Sequence, residues 1–402
     1  MKRCIALLAA VAIISLAACG KTSSDGQKSP IESNSDISIG AYLPLTGVAS
    51  FVGQGWQLGS QLAVQEINSN GGVNGHNLKF TYEDDGGTPA GAVTASRRLV
   101  QQGEVFAVMG GSTSTATVAV VPSMADGPTP LYVSLGSDPA ILDPFSPFVF
   151  SGAGVPSKDV VAAMAEFLTK TLKAKKVAIL ECDQAFCQSS VPTLKASLLA
   201  AGVQVPTVQT YASGATDFTG QIAAIKDAIP DVVVNFGLAA DGGRIIPQIR
   251  RAGIDAAIVG DTSQADPSVL EVAGAASEGF YSFWIGGSQF LDDQSGAMGN
   301  WRARFEKAFP DAPNGTPNLY SLMAYADTYV VAEGLRRCES DLTQQNFLKQ
   351  LETIGEFVAG DDKYFHYAAP IGLPRSFSAD DHQGTTIVTP IVSKDGKFMT
   401  AE

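Results

Sequence analysis

An α/β protein of two lobes, each a parallel sheet covered by helices, is predicted by three observations. Short apolar strand-like runs alternate with segments whose apolar residues recur at helical spacing. The alternation runs once from about residue 37 to residue 152 and then restarts, with no close sequence repeat between the two series. The chain of 402 residues is also too long for one ordinary core and suits two.

The elements follow in order. Residues 1–19, MKRCIALLAAVAIISLAAC, start with Lys2 and Arg3, continue through small and aliphatic side chains, and end at Leu16-Ala17-Ala18-Cys19. A basic start, a short apolar run and small residues before a cut make a secretion signal. The run is shorter than a membrane-spanning helix needs. Its end resembles the lipobox of bacterial lipoproteins, which implies lipid on Cys19; a plain signal peptide with an incidental cysteine is the alternative. Residues 20–36, GKTSSDGQKSPIESNSD, hold almost nothing apolar and read as a flexible tether.

The body begins with the strand ISIGAYLPL, then a helix in GWQLGSQLAVQEINSNGG that stops at Gly71-Gly72, then the strand LKFTYEDD. AGAVTASRRLVQQG is a helix, VFAVMGG a buried strand, STATVAVVPSMADG a helix and TPLYVSLG a strand. The second series comprises SKDVVAAMAEFLTKTL, KVAILEC, SSVPTLKASLLAAG, VQVPTVQTY, FTGQIAAIKDA, DVVVNFG, GRIIPQIRRAG and AAIVGD. No further run of about 18 apolar residues occurs, so a soluble body held at a membrane by lipid alone is expected.

Composition excludes several classes. The net charge is −13, more negative still without Lys2 and Arg3, and no basic cluster exists, which argues against nucleic acid as a partner. The histidines His76, His366 and His382 stand at no ligand spacing from a cysteine or from each other, so no metal and no cofactor are expected. Asp84 and Asp85, with Gly86-Gly87, read as a turn at a strand end. Neither a G-x-S-x-G elbow nor a nucleophile with a basic partner is present, which speaks against an enzyme. Of five cysteines, Cys182, Cys187 and Cys338 fall in the body. A local disulfide between Cys182 and Cys187 suits an oxidising compartment, and spacing alone leaves it open.

The segment GGSTSTAT, between a buried strand and a helix, poses the functional question. A Walker phosphate loop requires a lysine that is missing here. Ser112, Thr113 or Ser114 can cap the helix. The same helix start offers unpaired N–H groups and a partial positive charge that suit a carboxylate.

IGAYLPLTGVASFVGQGWQLGSQLAVQEINSNGGVNGHNLKFTYEDDGGTPAGAV, VFAVMGGSTST and DFTGQIAAIKDAIPDVVVNFG together resemble the branched-chain amino acid (Leu/Ile/Val) binding protein family, the type I periplasmic solute receptors of ABC importers. The resemblance runs from about Ile37 to the C-terminus. It implies a periplasmic binding protein-like type I fold: two Rossmann-like lobes joined by three crossovers and closing by a hinge on a solute. The crossovers then fall near 152–156, 279–284 and 369–374. Lobe 1 takes residues 37–153 and 283–368, and lobe 2 takes 154–282 and 369–402.

The resemblance also implies the site. Thr113 and Ser114, in the first serine- and threonine-rich loop, and Gly136 and Ser137, in the loop SLGSDP, match positions that hold a ligand carboxylate. Asp138 reads as a helix cap. Phe51 matches an aromatic pocket position, Phe186 an aromatic over the ligand, and Phe236 and Gly237 a loop that closes on it. Where the family has a glutamate for the ligand ammonium this chain has Thr262, with Asp261 one place earlier. Asp261 either reaches the cleft and binds an amine or caps the next turn. Trp284, Tyr320 and Tyr325 suit either the cleft or the core, and a lone His382 is expected to be structural.

The resulting expectation is a monomeric, lipid-anchored receptor facing outward from the cell envelope. It passes a small polar solute, an amino acid or another carboxylate or amide, to an ABC permease with a cytoplasmic ATPase. A sensor reporting to a membrane receptor would use the same pocket.

Overall fold

The computed structural model describes residues 35–102, 105–125, 127–152, 154, 157–285, 295–313, 316–354, 357–358, 374–375, 377–384 and 387–401. Cys19, the signal segment and the tether up to residue 34 lie outside them.

Alternating strands and helices build two sheets. The first orders β2 (Leu78–Asp84), β1 (Ile37–Leu43), β3 (Ala107–Gly110), β4 (Leu131–Val133) and β5 (Val149–Ser151), all parallel. Its connections run through α1 (Ser50–Ser69), α2 (Pro89–Gln102) and α3 (Ser114–Met124). β3, β4 and β5 are buried throughout, as strands covered on both faces must be. α4 (Ser157–Glu166) opens the second series. It is followed by β6 (Val177–Cys182), α5 (Ala185–Ala200), β7 (Val208–Tyr211), α6 (Thr219–Ala228), β8 (Val232–Phe236), α7 (Ala239–Arg251), β9 (Ala257–Gly260), α8 (Pro267–Ala273) and β10 (Tyr281–Ile285). The chain continues with α9 (Gly296–Ala308), α10 (Leu319–Arg337), α11 (Gln344–Glu352) and the paired strands β11 (Phe357–Val358) and β12 (Pro374–Arg375). β13 (Val388–Lys394) and β14 (Lys397–Thr400) end it. The second sheet has the order β14-β13-β10-β9-β8-β6-β7, with β13 and β14 antiparallel and the rest parallel.

Two expected boundaries shift. Lobe 1 was to resume at residue 283, but Phe283, Trp284 and Ile285 pair with Pro390, Thr389 and Val388 inside the second sheet. The ladder of β10 against β13 holds them there. The tail was to join lobe 2 from residue 369, yet residues 381–384 still lie against the first sheet. Ser151 N–H donates to His382 O at 2.9 Å, Gly384 N–H donates to Ser151 O at 2.7 Å, and His382 stacks on Phe150. Thus the end of β5 is bridged to Gln383, and Ile285 is paired with Val388. His382 is buried, with Nδ1 2.9 Å from Val149 O, in a structural position.

α10 is the spine of the first lobe and is buried along nearly all its length. Its contact with α1 depends on glycine: a Cβ at Gly59 would collide with the Ser321 carbonyl, and one at Gly55 with the Asn318 side chain. Charges buried on this face are paired, as desolvation requires. Glu66 accepts from Arg304 Nε at 2.8 Å, from Tyr329 OH at 3.0 Å and from Tyr325 OH. Glu333 is clasped by Arg336 and Arg337 at 2.6 and 2.7 Å. Tyr325 therefore belongs to this core network, and Trp284 is buried within β10.

Candidate functional site

A cleft lies between the two lobes, beyond the carboxyl ends of the strands, where open α/β sheets bind ligands. The first lobe lines it with Ser112, Thr113, Ser114, Leu135, Ser137, Gly154, Leu319 and Tyr320. The second lobe contributes Gln184, Phe186, Leu238, Thr262, Ser263 and Ile285.

The first-lobe pole is built around the start of α3. Gly110 and Gly111 both take positive φ, so the chain leaves β3 in a tight turn that brings three hydroxyl residues to the cleft. Thr113 occupies the N-cap position with extended backbone, but no side chain among the described residues caps α3. The hydroxyls thus do not perform the capping considered from sequence. The Thr113 carbonyl instead accepts the Thr117 hydroxyl at 2.7 Å. Ser114 Oγ accepts the Ser137 N–H at 3.1 Å, joining the two serine-bearing loops. Ser112 Oγ is buried with no protein partner among the described residues, and so is the hydroxyl of Tyr320. Helix-end N–H groups beside buried hydroxyls form a setting for an anion.

The second-lobe wall is fixed by a disulfide and by caps. Cys182, at the end of β6, is bonded to Cys187 in the first turn of α5, with Cα atoms 5.9 Å apart. This staple spans Gln184 and Phe186 and fixes where that loop enters the cleft. Cys338 is a buried free thiol whose pKa burial pushes up to about 12.

Direct bonds cross between the lobes. Thr115 Oγ1 donates to Gln184 Oε1 at 3.0 Å and accepts the Ala185 N–H at 2.9 Å. Asp266, the N-cap of α8, accepts the Leu319 N–H at 2.9 Å. The cleft is closed.

Thr113, Ser114, Ser137, Phe186 and Thr262, all expected at the site, line the cleft. Gly136 lies behind the wall, its N–H on Gly111 O and its Cα against Ile141. Phe51 is one layer back, edge-on to Tyr320 at 5.6 Å, so of these two rings it is Tyr320 that reaches the cleft. Phe236 and Gly237 do not line it either. Phe236 is the last residue of the fully buried β8, and a Cβ at Gly237 would strike Tyr211 OH. The next residue, Leu238, supplies that wall.

Of the two readings open for Asp261, the structure has the cap, and its place among the expected ligand contacts is not met. The residue is 1% exposed and does not line the cleft. Its carboxylate accepts the Ser263 N–H at 2.7 Å and the Gly237 N–H at 2.9 Å, capping the turn over Thr262–Gln264. Burial pushes its pKa up to about 7, against the lowering effect of these bonds. Burial likewise raises the Asp266 carboxyl. Burial first, and then Asp266, Asp261 and Asp241, raise the Tyr320 hydroxyl, which stays a neutral donor.

Sequence reasoning missed Leu135, Gln184, Leu238, Ser263, Ile285 and Leu319. Gln184 and Leu238 are N-cap residues of α5 and α7, and Leu319 is the first residue of α10. Position just past a strand or at a helix start was the available signal; residue type gave none. Asp138 caps a short 3₁₀ turn through the Ala140 N–H at 2.9 Å. Asp84 ties its own turn to the PLTG loop, accepting from Leu45 N at 2.9 Å and from Thr46 Oγ1 at 2.7 Å.

Known proteins share this architecture. A Leu/Ile/Val-binding protein homolog of Brucella melitensis is 25% identical over 305 residues, covering 76% of this chain and 80% of that protein. The Leu/Ile/Val-binding protein BraC3 of Rhizobium johnstonii is 27% identical over 310 residues, covering 76% and 81%. Among solved structures, the branched-chain amino acid transporter substrate binding protein LivJ of Streptococcus pneumoniae, in complex with isoleucine, superposes with a TM-score of 0.75 at 22% identity, covering 90% of this chain and 97% of that one. A type 1 periplasmic binding protein of Bordetella pertussis gives 0.77 at 22% identity, covering 91% and 99%. These relatives are binding proteins rather than enzymes. With residues 36–396 matched by the profile of that family, the chain belongs to the periplasmic binding proteins.

Proposed function

We propose that this protein is the solute receptor of an ABC importer, holding a small carboxylate-bearing solute in the interlobe cleft and delivering it to a permease. One observation carries the reading. The uncapped start of α3 and the partnerless Ser112 hydroxyl meet in a cleft that direct bonds between the lobes hold closed. Relatives named for leucine, isoleucine and valine support a solute of amino-acid size. The solute stabilises the closed form by bridging both walls, and the closed form is what a permease would recognise. Lipid on Cys19 would keep the receptor at the membrane surface.

A thermal-shift screen of the body against amino acids, amides, urea, short-chain acids and aromatic acids tests this. A ligand at 100 times its Kd adds about 2.7 kcal/mol of stability. A shift confined to carboxylate-bearing compounds is expected, and a response to urea or neutral amides alone would overturn the carboxylate reading. Replacing Cys19 with Ala should release the protein from the membrane fraction.

A further inference from the structure

The charge of the ligand can be argued from the second-lobe wall. Among the described residues, every side chain lining the cleft is uncharged. Three carboxylates, Asp241, Asp261 and Asp266, are buried behind it. Asp241 is paired with Arg244 at 2.5 Å and accepts the Gly214 N–H on the same oxygen, and its other oxygen is buried off the cleft wall. Asp261 receives the Ser263 and Gly237 N–H groups, one on each oxygen. Asp266 receives Ser268 N–H and Oγ on one oxygen, at 2.9 and 2.6 Å, and Leu319 N–H on the other. All of these donors to Asp261 and Asp266 but the Ser268 hydroxyl are backbone N–H groups, and those of Gly237 and Leu319 are buried, so turning Asp261 or Asp266 into the cleft would orphan an N–H in the interior.

The two charges of an α-amino acid would therefore fare differently here. A carboxylate meets the first turn of α3 with Ser112, Thr113, Ser114 and Ser137. An ammonium meets the hydroxyl oxygens of Thr262 and Ser263 and a Gln184 amide oxygen already bonded to Thr115, with no carboxylate on the cleft wall to offset its loss of water. The rest of the wall is apolar: Leu135, Phe186, Leu238, Ile285, Leu319 and the Tyr320 ring.

We infer that the cleft selects a small monocarboxylate with an apolar body and no ammonium, either unsubstituted or carrying a keto or hydroxyl oxygen beside the carboxylate. The Thr262 and Ser263 hydroxyls serve such an oxygen as neutral hydrogen-bond donors. This rests on reading the α3 pole as the carboxylate site.

Titration calorimetry on the full chain, stripped of bound solute by reversible unfolding, separates the two readings. The panel is leucine, ketoisocaproate, isocaproate and isocaproamide, with phenylalanine, phenylpyruvate, hydrocinnamate and hydrocinnamamide as the aryl set. In at least one set the amine-free acids should bind about tenfold or more tighter than the amino acid, since a desolvated unpaired charge weakens binding. The amide should bind weakly. An amino acid that binds as tightly as its amine-free partners overturns the inference while leaving the carboxylate reading intact. An amide as tight as the acid overturns the carboxylate reading itself, and no binding in either set overturns both. Thr262→Glu places a carboxylate on the wall and should reverse the order toward the amino acid; an unchanged order would also count against the inference.

Discussion

Asp266 of the second lobe and Leu319 of the first are joined by one hydrogen bond of 2.9 Å from the Leu319 backbone to the carboxylate, and both residues are buried. One side chain thus caps α8 in its own lobe and the first turn of α10 in the other. Opening the cleft must break the second of these bonds. Asp266→Ala is expected to weaken ligand binding by about 1–3 kcal/mol, the cost of losing a buried charged acceptor. Calorimetry with the best ligand of the screen checks this, and unchanged affinity would show that closure does not draw on the bond.

Ser112→Ala should separate binding from folding. Its hydroxyl is buried at the head of the cleft with no protein partner among the described residues, so removing it strands nothing. Unfolding midpoints without ligand are expected to stay within about 0.5 kcal/mol of the parent. Affinity for a carboxylate should fall by about 1–3 kcal/mol. A loss of stability with intact affinity would place the hydroxyl in the fold instead.

Removing the Cys182–Cys187 bond by a double change to Ser should cost stability and affinity together. Loop-closure entropy for so short a ring gives about 2 kcal/mol. The same staple fixes Gln184 and Phe186 at the cleft, and Gln184 bonds across it to Thr115. Denaturant titration reads the first effect and calorimetry the second. A stable variant with parental affinity would show that the loop holds its place without the bond.

Stability should also depend on pH through Asp261. Its carboxyl is raised from 3.8 to about 7, so the folded state holds the proton more tightly than the unfolded chain. Its contribution is fully present below pH 3.8 and is lost as the pH rises through about 7. Asp85, raised to about 6 by burial, acts in the same direction. Asp84, held low by bonds from Thr46, Gly86 and Leu45, acts oppositely at the acid end. Thermal midpoints across this range should fall less steeply with rising pH in Asp261→Asn than in the parent. An identical slope would mean that the Asp261 carboxyl does not titrate there.

Much of the fold was legible because burial writes itself into periodicity. β3 and β4 are runs of apolar residues, β8 is one apart from Asn235, and all are buried on both faces. The crossovers were less legible. Residues 283–285 continue a ladder whose partner strand lies about a hundred positions later in sequence, and no local pattern marks where that ladder ends. At the site, residues on the strand-to-helix turn after β3 could be named because hydroxyls at a helix start have a definite chemistry. Asp261 could not be assigned, since a cap and an ammonium ligand call for the same residue. Leu238 was missed because a leucine after a strand looks like any core leucine.

The chain passes between the lobes through neighbouring segments: the end of β5 is bridged to Gln383, and Ile285 is paired with Val388. Segments held together in this way where they leave the sheets would resist shear and twist more than they resist bending about a common line. Bending about that line would then be the softest motion between the lobes. A solute that altered the bend would change what the outer surface presents along the two rims at once, and occupancy could then be read from outside without any contact with the solute.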